Sequence, residues 1–528
     1  MTNKTFYITT PIYYTSGRLH IGNAYTTTIC DVIARYKKIR GYDVYFLTGT
    51  DEHGEKVQLK AEAAGKTPQQ FVDDLVVSIK ELWKKLDIDY DGFIRTTNPS
   101  HVAAVQKEFS QFVANDDVYK GEYEGWYCTD CEAYWTESQL QEGHLCPDCG
   151  RPVHRTTSES YFFRMSKYVD WLTKYYDEHP GFIEPISRRN EIVNNFIKPG
   201  LGDLSVSRTT FDWGVPIVED PKHVIYVWID ALSNYITALG YNSNDDSLFQ
   251  KYWHNDENHE ILHVVGKEII RFHMIYWPIM LHALGLEQPT KLYAHGWIVM
   301  KNGKMSKSKG NVIYPEPIIE RYGVDTLRYY LTCCIPWGQD GLFTPELFVE
   351  NVNVDLVNNY GNLLSRSVSM VQKYFDGIVP NYEGEATPFD HDLEIALENA
   401  KKHYEDKLDS YQVDAGFKEA FDLLSKANKY IDDTQPWTLA KDPAKQKELA
   451  SVMNHLMLIL RAGTIMLKPI LVNTYPKVLA QLGLQDIQYE TILDKHAMDG
   501  SRVTKGDNIF PRLNAVEEIE YLSKSFKF

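Results

Sequence analysis

The 528 residues contain little cysteine, no excess of positive charge and no long uninterrupted apolar run. Seven cysteines in a chain of this length exclude a disulfide-stapled scaffold. Four of them fall in two CxxC pairs, a pattern of metal binding in a reducing compartment, so a cytoplasmic protein is expected. Cys30, Cys333 and Cys334 read as buried packing residues. Lysine and arginine number 55 against 72 aspartates and glutamates, a net charge of −17. A uniformly basic nucleic-acid binder is thereby excluded. A local basic patch is not, because field strength depends on where the charges sit. The most apolar stretch, 261–286, is broken by Lys267, Glu268 and Arg271, so no membrane segment is expected. The opening MTNKTFYITTPIYY lacks the charged, apolar, then small order of a secretory signal. What remains is ordinary globular composition, 43% hydrophobic and 24% charged, at a length that suggests three or four domains of about 150 residues.

The chain opens β–turn–α–β. Residues 6–12 form a β-rich run, and a turn follows at Thr15-Ser16-Gly17. A helical pattern covers 22–40, with Ile29, Val32, Ile33 and Tyr36 on one face. Gly41 ends it, and 44–47 is the next strand, closing in Thr48-Gly49-Thr50-Asp51-Glu52-His53-Gly54. Strand, helix, strand implies a parallel sheet, whose ligands gather outside the carboxyl ends of its strands. The polar clusters 14–23 and 48–54 fall at such ends. From about 119 to 221 long apolar runs are scarce and both CxxC pairs occur, which reads as a subdomain inserted into an α/β domain. Sheet-like runs resume at 224–228 and 261–265. From about 352 the pattern is almost wholly helical, with runs at 393–404, 415–430 and 447–466 and a polar loop at 376–388, which predicts a helical bundle.

Three motifs carry chemistry. His20-Ile21-Gly22-Asn23 opens a helix, whose N-terminal N–H groups and partial positive charge suit a phosphate. Gly22 permits close approach of a nucleotide. Lys301-Asn302-Gly303-Lys304-Met305-Ser306-Lys307-Ser308-Lys309-Gly310 places four lysines in nine residues, a loop able to close on a charged substrate and stabilise developing charge. Cys128-x2-Cys131 and Cys146-x2-Cys149, fourteen residues apart, supply four thiolates at a spacing suited to one tetrahedral, closed and therefore structural Zn²⁺. With four cysteines filling the site, His144 and His154 read as surface residues.

The strings His20-Ile21-Gly22-Asn23 and Lys304-Met305-Ser306-Lys307-Ser308 resemble the paired HIGH and KMSKS signatures of the class I aminoacyl-tRNA synthetases. From about residue 6 to about 463 the sequence is similar to the methionyl branch of that family, in its bacterial form with one zinc knuckle. The resemblance implies an α/β fold. A Rossmann-like parallel-sheet catalytic domain (1–118 and 224–296) would be interrupted by a connective insertion with the zinc knuckle (119–223). A KMSKS loop and linking subdomain (297–352) and an all-α anticodon-binding bundle (353–528) would follow. It implies that methionine is activated by ATP to methionyl-adenylate, with release of pyrophosphate, and transferred to the 3′-terminal adenosine of tRNA(Met). His20, Asn23, Lys304 and Lys307 would be catalytic. ATP would be held by these together with Gly22, Gly266, Glu268 and Ser306, and would bring Mg²⁺ with it. Methionine would be held by Ile12, Tyr14, Asp51, Trp228, Ala231, Leu232, Tyr235, Ile269 and His273. The aromatic residues suit a flexible thioether and the Asp51 carboxylate suits the α-ammonium. Asn362 and Arg366, one helical turn apart, and Trp437 would read the CAU anticodon. Cys128, Cys131, Cys146 and Cys149 would hold Zn²⁺.

Asn23 departs from the family, which has histidine there; asparagine can donate a hydrogen bond but cannot become cationic. The insertion of roughly a hundred residues is too small for the editing domain that family members handling Ile, Val or Leu carry. A monomer is expected, because the chain ends without the extra dimerisation domain of longer relatives. The competing expectations are another class I synthetase such as the cysteinyl enzyme, a HIGH-motif nucleotidylyltransferase, and a non-enzymatic zinc-ribbon RNA-binding protein.

Overall fold

Strands that are apolar on both faces need cover on both sides, and a parallel sheet flanked by helices provides it. The run Thr5–Thr9 (β1) is buried at every position. In the computed structural model, which describes residues 4–129, 133–135, 137–147, 149–301, 303–305 and 311–526, the following elements are β2 (Tyr13–Tyr14), α1 (Ile21–Ile39), β3 (Asp43–Asp51), α2 (Glu55–Ala63), α3 (Pro68–Lys85), β4 (Gly92–Arg95) and α4 (Pro99–Ala114). The insertion supplies β5 (Val118–Cys128), β6 (Ala133–Trp135), β7 (His154–Phe163), α5 (Val169–Glu178), β8 (Ile183–Glu184), α6 (Ile186–Ile192), β9 (Leu204–Ser205), β10 (Ser207–Arg208), β11 (Pro216–Ile217) and β12 (Asp220–Ile225). Then come α7 (Val227–Thr237), β13 (His259–Gly266), β14 (Lys291–His295), β15 (Ile298–Met300), β16 (Gly303–Lys304) and β17 (Gly341–Leu342).

The chain divides into two units. One comprises 1–19, 41–84 and 88–295, the other 20–40, 85–87 and 296–528. The first is built on a seven-stranded sheet of order β2-β3-β1-β13-β14-β8, with β4 also on β3. Every pairing in it is parallel. The strands therefore deliver Thr9, Asp51, Gly266 and His295 to the same end of the sheet. A four-stranded antiparallel sheet, β6-β5-β7-β9, carries the insertion. One sequence expectation changes here. The run 224–228 is not a single strand: β12 stops at Ile225, and Val227 and Trp228 begin α7. A short apolar run does not by itself distinguish strand from buried helix.

The second unit contains α1 and the helical region. A fully buried ion pair sits inside it. Arg328 donates to Asp31 on α1 at 2.6 Å and to the carbonyls of Leu86, Pro469 and Ile470 at 3.0, 2.9 and 3.0 Å. Helices Asp390–Asp409, Val413–Thr434 and Gln446–Leu467 pack together, as their periodicity predicts. Tyr430 and Ser451 both donate to Asp390, at 2.7 and 2.6 Å. The expectation about apolar stretches needs amendment. The segment Pro443–Leu467 is long and apolar enough to cross a membrane, with mean hydropathy 1.4, but 94% of that window is buried, as befits the central helix of a bundle.

Candidate functional site

The first unit gathers the residues expected to bind an amino acid. Tyr14 and Asp51 are paired in the β2–β3 ladder, and the Asp51 carbonyl accepts from the Thr15 N–H and hydroxyl, both at 3.0 Å. Asp51 is thus delivered by the carboxyl end of a central strand. Trp228, Ala231, Leu232 and Tyr235 recur at i, i+3, i+4 and i+7 on α7 and share one face. Trp228 stacks on Phe272 at 3.7 Å between ring centres and meets the edge of His273 at 6.2 Å. The Tyr235 hydroxyl lies 2.7 Å from His273 Nε2, while Nδ1 faces the Ile269 carbonyl at 3.0 Å. The carbonyl can only accept, so Nδ1 carries the proton and Nε2 accepts from Tyr235. Burial pushes the His273 pKa down to about 4, so the ring is neutral at pH 7. Ile12, Trp228 and Ile269 are half-buried against the same core cluster. Gly266 closes β13, and exposed Glu268 folds its carboxylate back onto it.

Behind α7 lies a polar cluster that no sequence motif marks. Asp230 is fully buried and accepts from His53 Nδ1 at 2.6 Å and His101 Nε2 at 2.7 Å. Burial alone would raise its pKa; the two imidazoles reverse this and hold it at about 2. One turn on, Ser233 donates to Glu108 on α4 at 2.5 Å. Burial pushes Glu108 up to about 8, helped by the charge of Asp230. Glu108 therefore keeps a proton in the fold where the unfolded chain, with an ordinary carboxyl near 4.5, has lost it. Stability from this group is complete below about pH 4.5 and is lost as pH rises toward 8, at up to ~1.4 kcal/mol per pH unit. Glu108→Gln is expected to gain on the parent by a few kcal/mol between pH 5 and 8, read from urea midpoints; parallel pH curves would contradict the assignment. Among the wider buried histidines, His263 lies against Thr9 at 2.8 Å and under Tyr235 at 4.2 Å, and burial keeps it neutral.

The second unit holds the first signature string and the two stems of the lysine loop. His20 is the N-cap of α1. Its Nδ1 accepts from the Gly22 N–H at 3.0 Å, and its own N–H is capped by Asn23 Oδ1 at 3.0 Å. With Nδ1 accepting, a neutral His20 ring carries its proton on Nε2. A Cβ at Gly22 would lie 2.9 Å from the His20 ring, so glycine there makes room for the ring itself. The Ile21 N–H donates to the carbonyl of Ile313 at 2.9 Å. Ile313 lies just beyond the lysine loop, so the far stem of that loop is fastened to the first turn of α1. The near stem is the β15–β16 hairpin, in which Lys304 pairs with Val299 and Gly303 has φ +99°, a conformation that favours glycine. Ser306 and Lys307 lie outside the described residues.

In the insertion, Cys128, Cys146 and Cys149 place their sulfurs within 4.8 Å of one another, with Cys128 and Cys149 3.6 Å apart. Tetrahedral thiolates about 2.3 Å from one zinc would be about 3.8 Å apart, so the three fit such an ion. Cys131 lies outside the described residues. His144 stacks on Trp126 at 4.4 Å and pairs with Glu137, and so serves other contacts. In the helical region, Asn362 and Arg366 are exposed on one face of Asn362–Phe375 while Leu363 and Leu364 are buried. Arg366 reaches Asp432 at 3.6 Å, five residues before Trp437. That tryptophan is 42% exposed, too open for a packing residue.

Residues 6–368 match the family of class I tRNA synthetases (M), and 379–527 match the anticodon binding domain of methionyl tRNA ligase. The chain is 54% identical to the methionine–tRNA ligase of Bacillus subtilis over 98% of its own length and 80% of the relative's. It is 54% identical to that of Enterococcus faecalis over 99% and 79%. The fold matches Mycobacterium tuberculosis methionyl-tRNA synthetase in complex with methionyl-adenylate, with TM-score 0.91 and 38% identity over 96% of this chain and 100% of that one. Neither a cysteinyl enzyme, a nucleotidylyltransferase nor a zinc-ribbon binding protein accounts for both family matches.

Proposed function

We infer the division of labour that follows from one premise: this chain belongs to the class I methionyl-tRNA synthetases. It activates methionine with ATP and charges tRNA. In the first step a methionine carboxylate oxygen attacks the α-phosphorus of ATP, the bond to the bridging oxygen breaks, and pyrophosphate leaves. Asp51 holds the α-ammonium. Ile12, Tyr14, Trp228, Ala231, Leu232, Tyr235 and Ile269 enclose the side chain, and the uncharged Tyr235–His273 pair offers the thioether a polar contact without a competing ion. The observation that carries this reading is the single apolar and aromatic face of α7, its one hydroxyl already engaged by a neutral imidazole.

His20, Gly22 and Asn23 at the N-terminus of α1, with Lys304, Ser306 and Lys307, hold the phosphates; Gly266 and Glu268 hold the ribose. The magnesium that travels with ATP stays largely on phosphates and water. No group on the protein becomes covalently attached, so the rate enhancement comes from positioning and charge. In the second step the terminal 2′-OH of tRNA attacks the adenylate carbonyl and AMP leaves. Asn362, Arg366 and Trp437 read the CAU anticodon by hydrogen bonding and stacking. Cys128, Cys131, Cys146 and Cys149 hold one structural Zn²⁺, which shapes the insertion that faces the acceptor end. Every residue assigned a role comes from one cytoplasmic chain, and a monomer suffices, as light scattering would test.

Pyrophosphate exchange across the twenty amino acids should be supported by methionine alone. Asp51→Ala should raise the methionine KM about 10- to 100-fold, the equivalent of one charge-assisted contact of ~1.5–3 kcal/mol. Exchange driven by another amino acid would reject the assignment.

A further inference from the structure

Helix α7 has two working faces. Trp228, Ala231, Leu232 and Tyr235 form one; Asp230, Ser233 and Thr237 begin two residues later, about 200° around the helix. The second face points into protein, not water: Asp230, Ser233 and Thr237 are all buried. A carboxylate there is an expensive choice. Apolar packing of similar volume would serve stability as well or better. What directed bonds to a charge supply instead is a fixed rotation and a fixed distance.

Both oxygens of Asp230 are used, one by His53 at 2.6 Å and one by His101 at 2.7 Å. The second nitrogen of His101 reaches Thr237 at 2.7 Å, two helical turns along the same face. His101 and Glu108 thereby fasten α7 to α4 at two points, which opposes rotation as well as translation. His53 fastens it to something different. That residue lies two positions after Asp51, in the turn leaving β3. The turn is itself held on both sides: Glu52 accepts from Arg95 at 2.7 and 2.9 Å, and its carbonyl accepts from the Trp213 indole at 2.5 Å. The Gly54 N–H donates to the Trp213 carbonyl at 2.9 Å, and the His53 ring meets the edge of Trp213. Asp51 and the wall of α7 are therefore joined by one short path, Asp51–Glu52–His53–Asp230.

We propose that Asp230, clamped between His53 and His101, is a positioning residue that fixes the span between the Asp51 carboxylate and the Trp228–Tyr235 wall, and so sets the affinity for methionine and its selectivity for side-chain length. The proposal rests on the methionine assignment above. A substrate gripped at its ammonium and at its thioether is measured by the distance between the two grips. A wall that moves by a fraction of an ångström loses the methyl contact before it loses the ammonium.

The test is Asp230→Asn, which keeps shape and removes charge, assayed by pyrophosphate exchange and by tryptophan fluorescence titration with methionine. The methionine KM should rise about tenfold or more while the ATP KM stays within about twofold. The kcat/KM preference for methionine over homocysteine, which lacks the terminal methyl, should fall at least fivefold. His53→Ala should do the same, and His53→Asn, whose amide can donate in place of Nδ1, should restore the methionine KM to within about threefold of the parent. A lower yield of active enzyme with parental KM values would show a purely structural role and overturn the proposal. Asp51→Ala, run in parallel, separates the two readings. If it leaves methionine binding intact, the methionine site itself is wrong and the proposal falls with it. If it abolishes binding while Asp230→Asn and His53→Ala bind normally, the positioning role alone is refuted.

Discussion

Replacing Lys304 and Lys307 together by alanine is expected to slow methionyl-adenylate formation by roughly 10³-fold or more, since one preorganised donor at a developing charge is already worth about 10²–10³. Methionine binding, followed by tryptophan fluorescence, should stay within about twofold. The attack of a carboxylate on a triphosphate brings negative charge toward negative charge, so cations at the phosphates act more on the transition state than on the bound substrate. The loop that bears these lysines is held at both stems. Gly303 turns the near hairpin with φ +99°. The carbonyl of Ile313 on the far side accepts from the first peptide N–H of α1, beside His20. The far stem is thus tied to the helix end whose partial positive charge favours the same phosphates. Single-turnover adenylate formation within tenfold of the parent would mean that other groups neutralise the triphosphate.

The second large effect is on stability. Asp31→Ala should cost about 3–5 kcal/mol, because it leaves the fully buried Arg328 guanidinium without a counter-charge. Arg328 cannot turn to solvent, since its other donors are engaged by the carbonyls of Leu86, Pro469 and Ile470. Asp31 also accepts from Arg35 at 2.8 Å, so the variant disturbs two cations at once. Native-state hydrogen exchange should show the loss as reduced protection along α1, with Asp31→Asn intermediate because it keeps an acceptor. Unchanged protection of α1 would show that the pair contributes specificity and little stability.

What could be read in the sequence was local. The 3.6-residue recurrence of Ile29, Val32, Ile33 and Tyr36 marks α1, and Gly41 lies just beyond its end. The cysteine spacing pointed to a shared metal site, and the sulfurs of Cys128, Cys146 and Cys149 do lie within 4.8 Å of one another. The run at 224–228 misled because β-branched and aromatic residues suit a buried strand, while the first turn of α7 took Val227 and Trp228 for its own packing. The buried polar groups were invisible for a different reason. Asp230 finds His101 across 129 positions and His53 across 177, and Asp31 finds Arg328 across 297. No periodicity encodes such partners. The trace that was present is Asp230, Ser233 and Thr237 at helical spacing inside the apolar VWIDALSNYIT, since polar residues aligned in a buried helix require partners somewhere.

The two-faced construction of α7 also bears on which changes of length the chain can absorb. Adding or deleting one residue within Val227–Thr237 would rotate everything beyond it by about 100°. Tyr235 would leave its imidazole and Thr237 would leave His101 in the same event, although no side chain had been replaced. The polar connection at 376–388 is registered too, since the Tyr382 N–H donates to Asp499 and the Ala386 and Thr387 N–H groups donate to Asp390, but a residue gained there would not rotate two opposed faces at once. Insertions and deletions among natural variants should therefore be purged from α7, even at positions of α7 where substitutions persist.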